Sequence, residues 1–230
     1  MITLYHGSAK IIDKPEFGKG NPHNDYGSGF YCTENLELAK EWASSNRTGG
    51  FANAYELDIT ELKILDLNSP EFGIMDWLAV LVNNRFFGIA SPLAAEAKNY
   101  ISAHFLPDID LFDAVRGYRA DDSYFTFAMD FLSSTISIRQ LRRAMTLGEL
   151  GEQFMIKSQK AFDLLKYTGS ETADGEIYYA KRRKRDKDAR GQYLKGERNN
   201  ARRPDDIFML DILRGEMKKN DARLQRDLFI

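Results

Sequence analysis

The chain has 230 residues and a mass of 26.3 kDa, so we expect one main domain with an appendage rather than two equal domains. Its 32 Lys and Arg residues nearly balance 34 Asp and Glu residues, and the formal net charge of -2 gives the whole molecule no strong attraction to nucleic acid or membranes. One cysteine excludes an internal disulfide, and three scattered histidines lack the spacing of metal ligands. The sequence has no leader-like N-terminus and no apolar stretch of about 20 residues, which predicts a cytoplasmic protein without a membrane span.

The first predicted element is a strand over residues 2–5, which alternate and are rich in β-branched and aromatic side chains. His6, Gly7 and Ser8 follow at the predicted end of this strand. There the imidazole could hydrogen-bond a sugar hydroxyl, the glycine offers an unhindered backbone and the serine adds a hydroxyl. A packed histidine with no ligand is the alternative. Residues 9–23 contain two prolines and two glycines, which predicts an irregular connection that could lie over a site.

The next predicted elements come from residues 24–33, NDYGSGFYCT, which combine two glycines with three aromatic residues. The glycines permit a positive φ or a close approach to a ligand, and residues 30–32 are predicted to form a short strand that carries Tyr31. Thr33 is the predicted N-cap of an amphipathic helix with Trp42 on its apolar face. A turn between a strand and a helix suits phosphates or nucleotides, and an ordinary surface turn is the alternative.

The middle of the chain carries no obvious reactive group and is predicted to supply the core. Alternating patterns predict strands over residues 53–59, 63–67 and 111–115, and helical spacing predicts helices over residues 75–87, 92–105, 123–131 and 136–144. Residues 153–157, QFMIK, alternate again and predict a late strand, in which Gln153 and Phe154 face opposite sides.

The composition changes near residue 170. Residues 170–175 are small and polar and are predicted to form a linker, and residues 181–203 then carry eleven Lys or Arg against three Asp or Glu on a predicted helix. A further helix is predicted to start near Pro204. The basic segment is interpreted as a solvated surface helix, with a nucleic-acid-binding face or a partner-docking arm as the alternatives.

Three separated motifs carry a family resemblance: YHGS in the first strand, GSGFYCT in the glycine-rich turn and EQFMIKS late in the chain. Together they resemble the three signature strands of the ADP-ribosyltransferase superfamily, in the poly-ADP-ribose polymerase and diphtheria-toxin-like branch whose pattern is His, Tyr and Glu. The chain is most similar to a bacterial family of such domains that begins with YHGS. The resemblance covers about residues 2–165.

The resemblance implies an α+β fold of two packed, mostly antiparallel sheets with flanking helices. We therefore predict an NAD-binding domain over residues 1–168 and a helical, basic C-terminal extension over residues 169–230. The resemblance also implies that NAD is the substrate and that the protein is an enzyme of the glycosyltransferase class.

The resemblance further assigns roles to individual residues. His6 would bond the adenosine ribose of NAD, the Gly7 backbone would hold the nicotinamide carboxamide beside Ser8, and Tyr31 would stack on the nicotinamide ring. Trp42 stands eleven residues after Tyr31, where the family often has a second stacking aromatic, and a core role is its alternative. The predicted catalytic residues are His6, Tyr31 and Gln153.

The third motif departs from the family pattern, because Gln153 stands where efficient transferases usually have Glu. An amide oxygen can accept the hydrogen bond from the nicotinamide-ribose 2′-hydroxyl, but it lacks the charge that stabilises the oxocarbenium-like state. Losing one such preorganised group typically costs about 3 to 4 kcal/mol. Glu149 or Glu152 could lend a carboxylate, although alternation turns Glu152 away from Gln153.

The resulting hypothesis is an NAD-dependent mono-ADP-ribosyltransferase that modifies a protein or nucleic-acid acceptor. The basic segment favours a nucleic-acid or ribonucleoprotein target, and analogy with the superfamily suggests a bacterial toxin or phage-defence effector with a neutralising antitoxin protein as a partner. One alternative is a catalytically silent module that binds NAD or ADP-ribose and docks a partner through its C-terminal arm. The other is an NAD glycohydrolase, in which water replaces the acceptor.

Overall fold

The computed structural model describes residues 1–86, 88, 91–120, 122–147, 151–196, 198 and 202–225. Backbone contacts divide the chain into two compact units, which are considered separately below. Unit 1 consists of Met1–Asp66, Asp108–Arg119 and Leu150–Arg185, and unit 2 consists of Leu67–Pro107, Ala120–Glu149 and Asp186–Ile230. Each unit therefore combines segments that are distant in sequence.

All strands of the described residues belong to unit 1. They are β1 (Ile2–Ser8), β2 (Phe30–Cys32), β3 (Gly50–Leu57), β4 (Ile64–Asp66), β5 (Ala114–Tyr118), β6 (Glu152–Ile156) and β7 (Leu165–Ala173). One sheet has the order β1-β3-β7 and the other the order β2-β6-β5-β4, and only the pairing of β4 with β5 is parallel. The predicted α+β class with two mostly antiparallel sheets is confirmed.

The core of unit 1 contains side chains from both sheets. Leu4 and Leu57 come from the first sheet, and Cys32, Phe154 and Ile156 come from the second. These positions follow the two-residue period of their strands, which directs alternate side chains to one face. Burial raises the pKa of the Cys32 thiol, so this cysteine is a packing residue in unit 1.

Along the chain, the helices lie between and after the strands. They are α1 (Leu36–Ala43), α2 (Ile74–Asn84), α3 (Pro92–Phe105), α4 (Asp122–Leu132), α5 (Ile138–Met145), α6 (Gln159–Leu164), α7 (Gly175–Lys195), α8 (Met209–Arg214) and α9 (Ala222–Gln225). Unit 2 contains α2 to α5, α8 and α9, with the nine residues Ile74 to Val82 of α2 all buried. Among the described residues, no helix is both long and apolar enough to span a bilayer.

Several predicted boundaries need correction. β1 continues through Ser8, so His6 and Gly7 lie inside a strand rather than at its end. The N-cap of α1 is Asn35, whose side chain accepts a hydrogen bond from Leu38, whereas Thr33 pairs with β1. The predicted strand over residues 111–115 is instead β5, Ala114–Tyr118, preceded by a 3-10 turn.

The predicted linker over residues 170–175 is also wrong, because most of it belongs to β7. The domain boundary that we predicted after residue 168 therefore falls inside a strand. Among the described strands β7 pairs with β3 alone, and six of its nine residues carry polar side chains, as is common in solvent-facing edge strands. This polarity explains why the segment resembled a linker in sequence.

The first part of the basic segment is held by ion pairs within unit 1. Arg185 of α7 donates two hydrogen bonds to Glu41 of α1, at 3.0 and 2.9 Å, and Glu41 is only 3 % exposed. Lys181 donates to Glu37 at 2.8 Å on the exposed side of the same helix pair. Part of the positive charge of α7 is therefore neutralised internally.

These two ion pairs predict different effects on stability. Arg185→Ala leaves a buried carboxylate without its bidentate partner, and we expect it to lower the free energy of unfolding by about 3 kcal/mol. Lys181→Ala removes an exposed, solvent-screened pair and is the matched control, with a much smaller expected cost. Urea denaturation at pH 7 measures both, and equal costs for the two variants would contradict the assignment.

Candidate functional site

The candidate site begins where β1 and β2 separate. The two strands meet at one bridge, in which the Tyr5 N–H donates to the Thr33 carbonyl at 2.8 Å and the Thr33 N–H donates to the Tyr5 carbonyl at 2.9 Å. In continued antiparallel pairing, Gly7 would face Tyr31. That pair does not form, and among the described residues the N–H and C=O of Gly7 on this edge have no backbone partner.

In place of the missing backbone pair, the His6 side chain hydrogen-bonds to Tyr31. Its Nδ1 atom lies 2.7 Å from the Tyr31 carbonyl oxygen, which can only accept a hydrogen bond, so Nδ1 carries the proton. Burial lowers the pKa of His6, and its hydrogen bond to Tyr31 offsets this only in part. The ring is therefore neutral at pH 7, and its Nε2 atom has a free lone pair that can accept a hydrogen bond.

Gly7 allows helix α1 to approach β1 closely. A Cβ atom at this position would lie 2.0 Å from the Ala39 carbonyl oxygen and 2.9 Å from the Cβ of Trp42. The Trp42 ring has the Arg119 guanidinium 4.7 Å from its centroid. Its buried Nε1 has no hydrogen-bond partner among the residues that the structure describes. The structure thus brings Gly7 and Trp42 together, with the indole N–H enclosed by protein atoms.

Ser8 is held by a residue that our sequence reasoning missed. Its hydroxyl donates to the Lys10 carbonyl at 2.6 Å and accepts from Asn53 Nδ2 at 2.9 Å. Asn53 is fully buried on β3, and its side chain also donates to the His6 carbonyl and accepts from the Ile12 N–H. The donor of Ser8 is therefore engaged internally. The signal for Asn53 was a short polar side chain in an otherwise strand-like segment.

Tyr31 is fixed by the glycine-rich turn that precedes it. Its hydroxyl donates to the Gly27 carbonyl at 2.6 Å and accepts from the Tyr26 N–H at 3.0 Å. Gly27 has a φ of 86°, which favours glycine. The His6 ring stacks on Phe30, and because neighbouring strand residues face opposite sides, the Tyr31 ring lies on the other face of β2. The structure joins His6 to the Tyr31 backbone without stacking their rings.

Gln153 lies on the same face of the second sheet as Tyr31. Tyr31 pairs with Met155, and Gln153 is two residues from Met155 along β6. Its Nε2 donates to a carboxylate oxygen of Asp25 at 2.9 Å and approaches the Tyr118 carbonyl at 3.4 Å. Gln153 is 4 % exposed and Asp25 is 5 % exposed. Asp25 is a second residue that our sequence reasoning missed, although it belongs to the NDYGSGF stretch.

A cavity of about 300 Å³ lies at the start of β6 and α1, where it is lined by Gln153, Thr33, Asn35 and Leu38 and by three charged side chains. Of these three, Arg116 donates to Glu152 at 2.7 Å and lies 3.5 Å from Glu34. Glu152 is thus bound to Arg116 and faces away from Gln153, as alternation predicts. Glu149, the other glutamate that could lend a carboxylate, lies outside the described residues.

The candidate site offers hydrogen-bonding groups rather than metal ligands. No group of three or more His, Cys, Asp or Glu side chains in the described parts of the chain could hold a metal ion. The predicted residues supply the Gly7 backbone and His6 Nε2 at β1 and the Gln153 amide at β6, and of these residues Gln153 alone lines the cavity described above. Such a set suits an uncharged part of a ligand, such as an amide or a ribose.

The lowered pKa of His6 predicts a pH dependence of stability. The folded protein resists protonation of His6, whereas the unfolded chain takes up a proton near pH 6.5, so folding loses free energy as the pH falls below about 6.5. We expect the stability advantage of the wild-type protein over His6→Asn to shrink from pH 8 to pH 5 in urea denaturation. A difference that stays constant over this range would rule out the neutral, buried imidazole.

Comparison with known proteins gives one family match. A protein-family model described as "Protein of unknown function (DUF3990)" matches residues 2–167, which include every predicted site residue. No curated protein and no solved structure matches the chain. Because the match spans most of the chain, from β1 into β7, this protein belongs to the DUF3990 family.

Proposed function

We propose that this protein is an NAD-dependent mono-ADP-ribosyltransferase with an ADP-ribosyltransferase-like domain. The observation that carries the proposal is the free edge of β1 at Gly7, beside the bridging His6. A primary carboxamide presents an acceptor C=O and a donor N–H side by side. It therefore complements the N–H and C=O of one strand residue in the way that a neighbouring strand would. Nicotinamide carries such a carboxamide.

The protonation state of His6 supports a ribose contact. Its Nδ1–H is committed to Tyr31, so Nε2 is left as an acceptor for a donating group. A ribose hydroxyl is such a donor, and a neutral imidazole can accept from it at pH 7. His6 would hold the adenosine ribose, while Gly7 on the same strand would hold the nicotinamide end.

The aromatic residues support the binding of a flat ring. Trp42 packs its Cβ against Gly7, which places its ring next to this edge of β1. The Tyr31 hydroxyl donates to the Gly27 carbonyl and accepts from the Tyr26 N–H, and these two hydrogen bonds hold the ring rigid. We assign both rings to the nicotinamide, where stacking of a base on an aromatic side chain typically contributes about 1 to 3 kcal/mol.

In the proposed reaction, the bond between C1′ of the ribose and the nicotinamide nitrogen breaks, and its electron pair leaves with nicotinamide. The acceptor nucleophile then bonds to C1′ and loses its proton to solvent. Gln153 would accept the 2′-hydroxyl hydrogen bond through its carbonyl oxygen, and positioning of the two reactants would supply much of the acceleration. The acceptor would be a protein side chain or a nucleic-acid base.

The basic segment supports a nucleic-acid acceptor only through its outward side chains. Lys181 and Arg185 are paired with α1, whereas Arg183, Lys184 and Lys187 are exposed on α7. Exposed Lys and Arg side chains of this kind interact with phosphates. In this proposal the protein acts as a toxin or phage-defence effector, and a neutralising antitoxin protein would restrain it.

The test is incubation with NAD labelled on the adenine, followed by measurement of nicotinamide release and of label on macromolecules. We expect both with the wild-type protein. Tyr31→Ala removes a stacking ring and should raise the KM for NAD about 10- to 100-fold, whereas Tyr31→Phe keeps the ring and should change it less. Phe86→Ala, which truncates an aromatic side chain of unit 2 that is 78 % exposed, is the control.

Three other results of this NAD experiment can be told apart. Nicotinamide release without label on any macromolecule would identify an NAD glycohydrolase. Binding of NAD without turnover would identify a silent binding module. No binding of NAD at millimolar concentration would overturn the proposal.

A further inference from the structure

We infer that Asp25 is a positioning residue that restores, through Gln153, the negative charge that the third motif of this chain lacks. The inference rests on the proposed function, because it concerns how the same site promotes departure of nicotinamide. It starts from a contact between two buried side chains that are 128 positions apart, the Asp25 carboxylate and the Gln153 amide.

The first step concerns the orientation of the amide. Both groups that contact Gln153 Nε2, the Asp25 carboxylate and the Tyr118 carbonyl, can only accept hydrogen bonds. The amide nitrogen must therefore face Asp25, and the oxygen must face away from it. Without Asp25, the long 3.4 Å contact with the Tyr118 carbonyl would be the remaining acceptor for the amide nitrogen, and it would hold this orientation more weakly. Asp25 thus selects the orientation that presents an acceptor.

The second step concerns charge. Asp25 is 5 % exposed, so the negative charge that we infer for it depends on compensating hydrogen bonds, and the Gln153 amide donates one of them. An N–H that donates to a carboxylate polarises its amide and places more negative charge on the amide oxygen. Because the surroundings exclude water, this effect is screened less than at the surface. Gln153 bound to Asp25 is therefore a better partner for a developing cation than a Gln alone.

The other described carboxylates near β6 are engaged elsewhere. Glu152 accepts from Arg116 and lies on the opposite face of its strand, and Glu34 also lies next to Arg116. Asp25 is the carboxylate that contacts Gln153 directly. The turn that contains Asp25 also holds the Tyr31 hydroxyl, through the Gly27 carbonyl and the Tyr26 N–H. One turn therefore positions both Asp25 and Tyr31.

In the reaction, the charge develops when the bond between C1′ and the nicotinamide nitrogen breaks and the electron pair leaves with nicotinamide. The ribose ring then carries positive charge on C1′ and on its ring oxygen. Asp25 takes no proton and forms no bond in this step. It fixes the Gln153 oxygen on the 2′-hydroxyl and adds an attractive potential that grows as the ring becomes cationic.

The test compares the pair in three variants with NAD as the substrate. Asp25→Asn keeps the shape and removes the charge, and we expect kcat for nicotinamide release to fall about 100-fold with little change in KM. The double variant Asp25→Asn with Gln153→Glu moves the charge to position 153 and keeps an amide next to a carboxylate. We expect it to recover at least the wild-type kcat, which a purely structural role of Asp25 would not explain.

Gln153→Glu alone gives a third readout. It places two carboxyl groups about 3 Å apart, so one of them should stay protonated near neutral pH and ionise only at higher pH. The pH profile of kcat should gain an inflection that the wild-type profile lacks. Asp113→Asn is the control. The Asp113 carboxylate, just before β5, accepts a hydrogen bond from the Lys63 N–H, just before β4, and does not contact Gln153.

The outcomes separate this inference from the proposed function. If the wild-type protein releases no nicotinamide, the proposed function fails, and this inference fails with it. If the wild-type protein is active and folded Asp25→Asn keeps its kcat, only the inference about Asp25 is overturned. If Asp25→Asn does not fold, the double variant decides: a folded and active double variant supports the inference, and a folded but inactive one overturns it.

Discussion

The structure of the candidate site depends on the early separation of β1 and β2. One bridge between Tyr5 and Thr33 joins the two sheets, and then the His6 side chain takes the Tyr31 carbonyl that the Gly7 N–H would otherwise occupy. This substitution of a side chain for a backbone group frees one strand residue while giving the Tyr31 carbonyl a donor. Gly7 is only partly buried, so its free N–H and C=O stay within reach of another molecule that could complete the pairing.

Close packing behind that edge makes it rigid. Gly7 brings α1 against β1, and Asn53 ties the end of β1 to the start of the following connection. On its other side, α1 is anchored by the ion pair between Glu41 and Arg185. Rigid support of this kind favours a site that recognises its ligand through fixed hydrogen bonds, because little ordering remains to be done on binding.

The glycine-rich turn positions two residues of the chemistry that we propose. It holds the Tyr31 hydroxyl by its backbone and presents Asp25 to Gln153 in a buried environment. A carboxylate that contacts the amide can supply part of the electrostatic stabilisation that a carboxylate at position 153 itself would give. Its contribution is smaller because it lies farther from the developing charge. In the function that we propose, Gln153 stands where the resembled family has Glu, and the Asp25 carboxyl group lies directly beside it.

The local sequence determined much of the secondary structure and the motifs. Helix α3 was predicted at its observed bounds from helical spacing, and in the structure Ser91 caps it and Pro92 starts it. The strand with Gln153 was predicted within one residue from its alternation. Tertiary structure alone decided the rest. β7 is a polar edge strand that is ordered by pairing with β3, and the contacts of Gln153 with Asp25 and of Arg185 with Glu41 join residues more than 120 positions apart. Hydrophobic periodicity reports which face of an element is buried but not which distant side chain it will meet, so these contacts left no local signal.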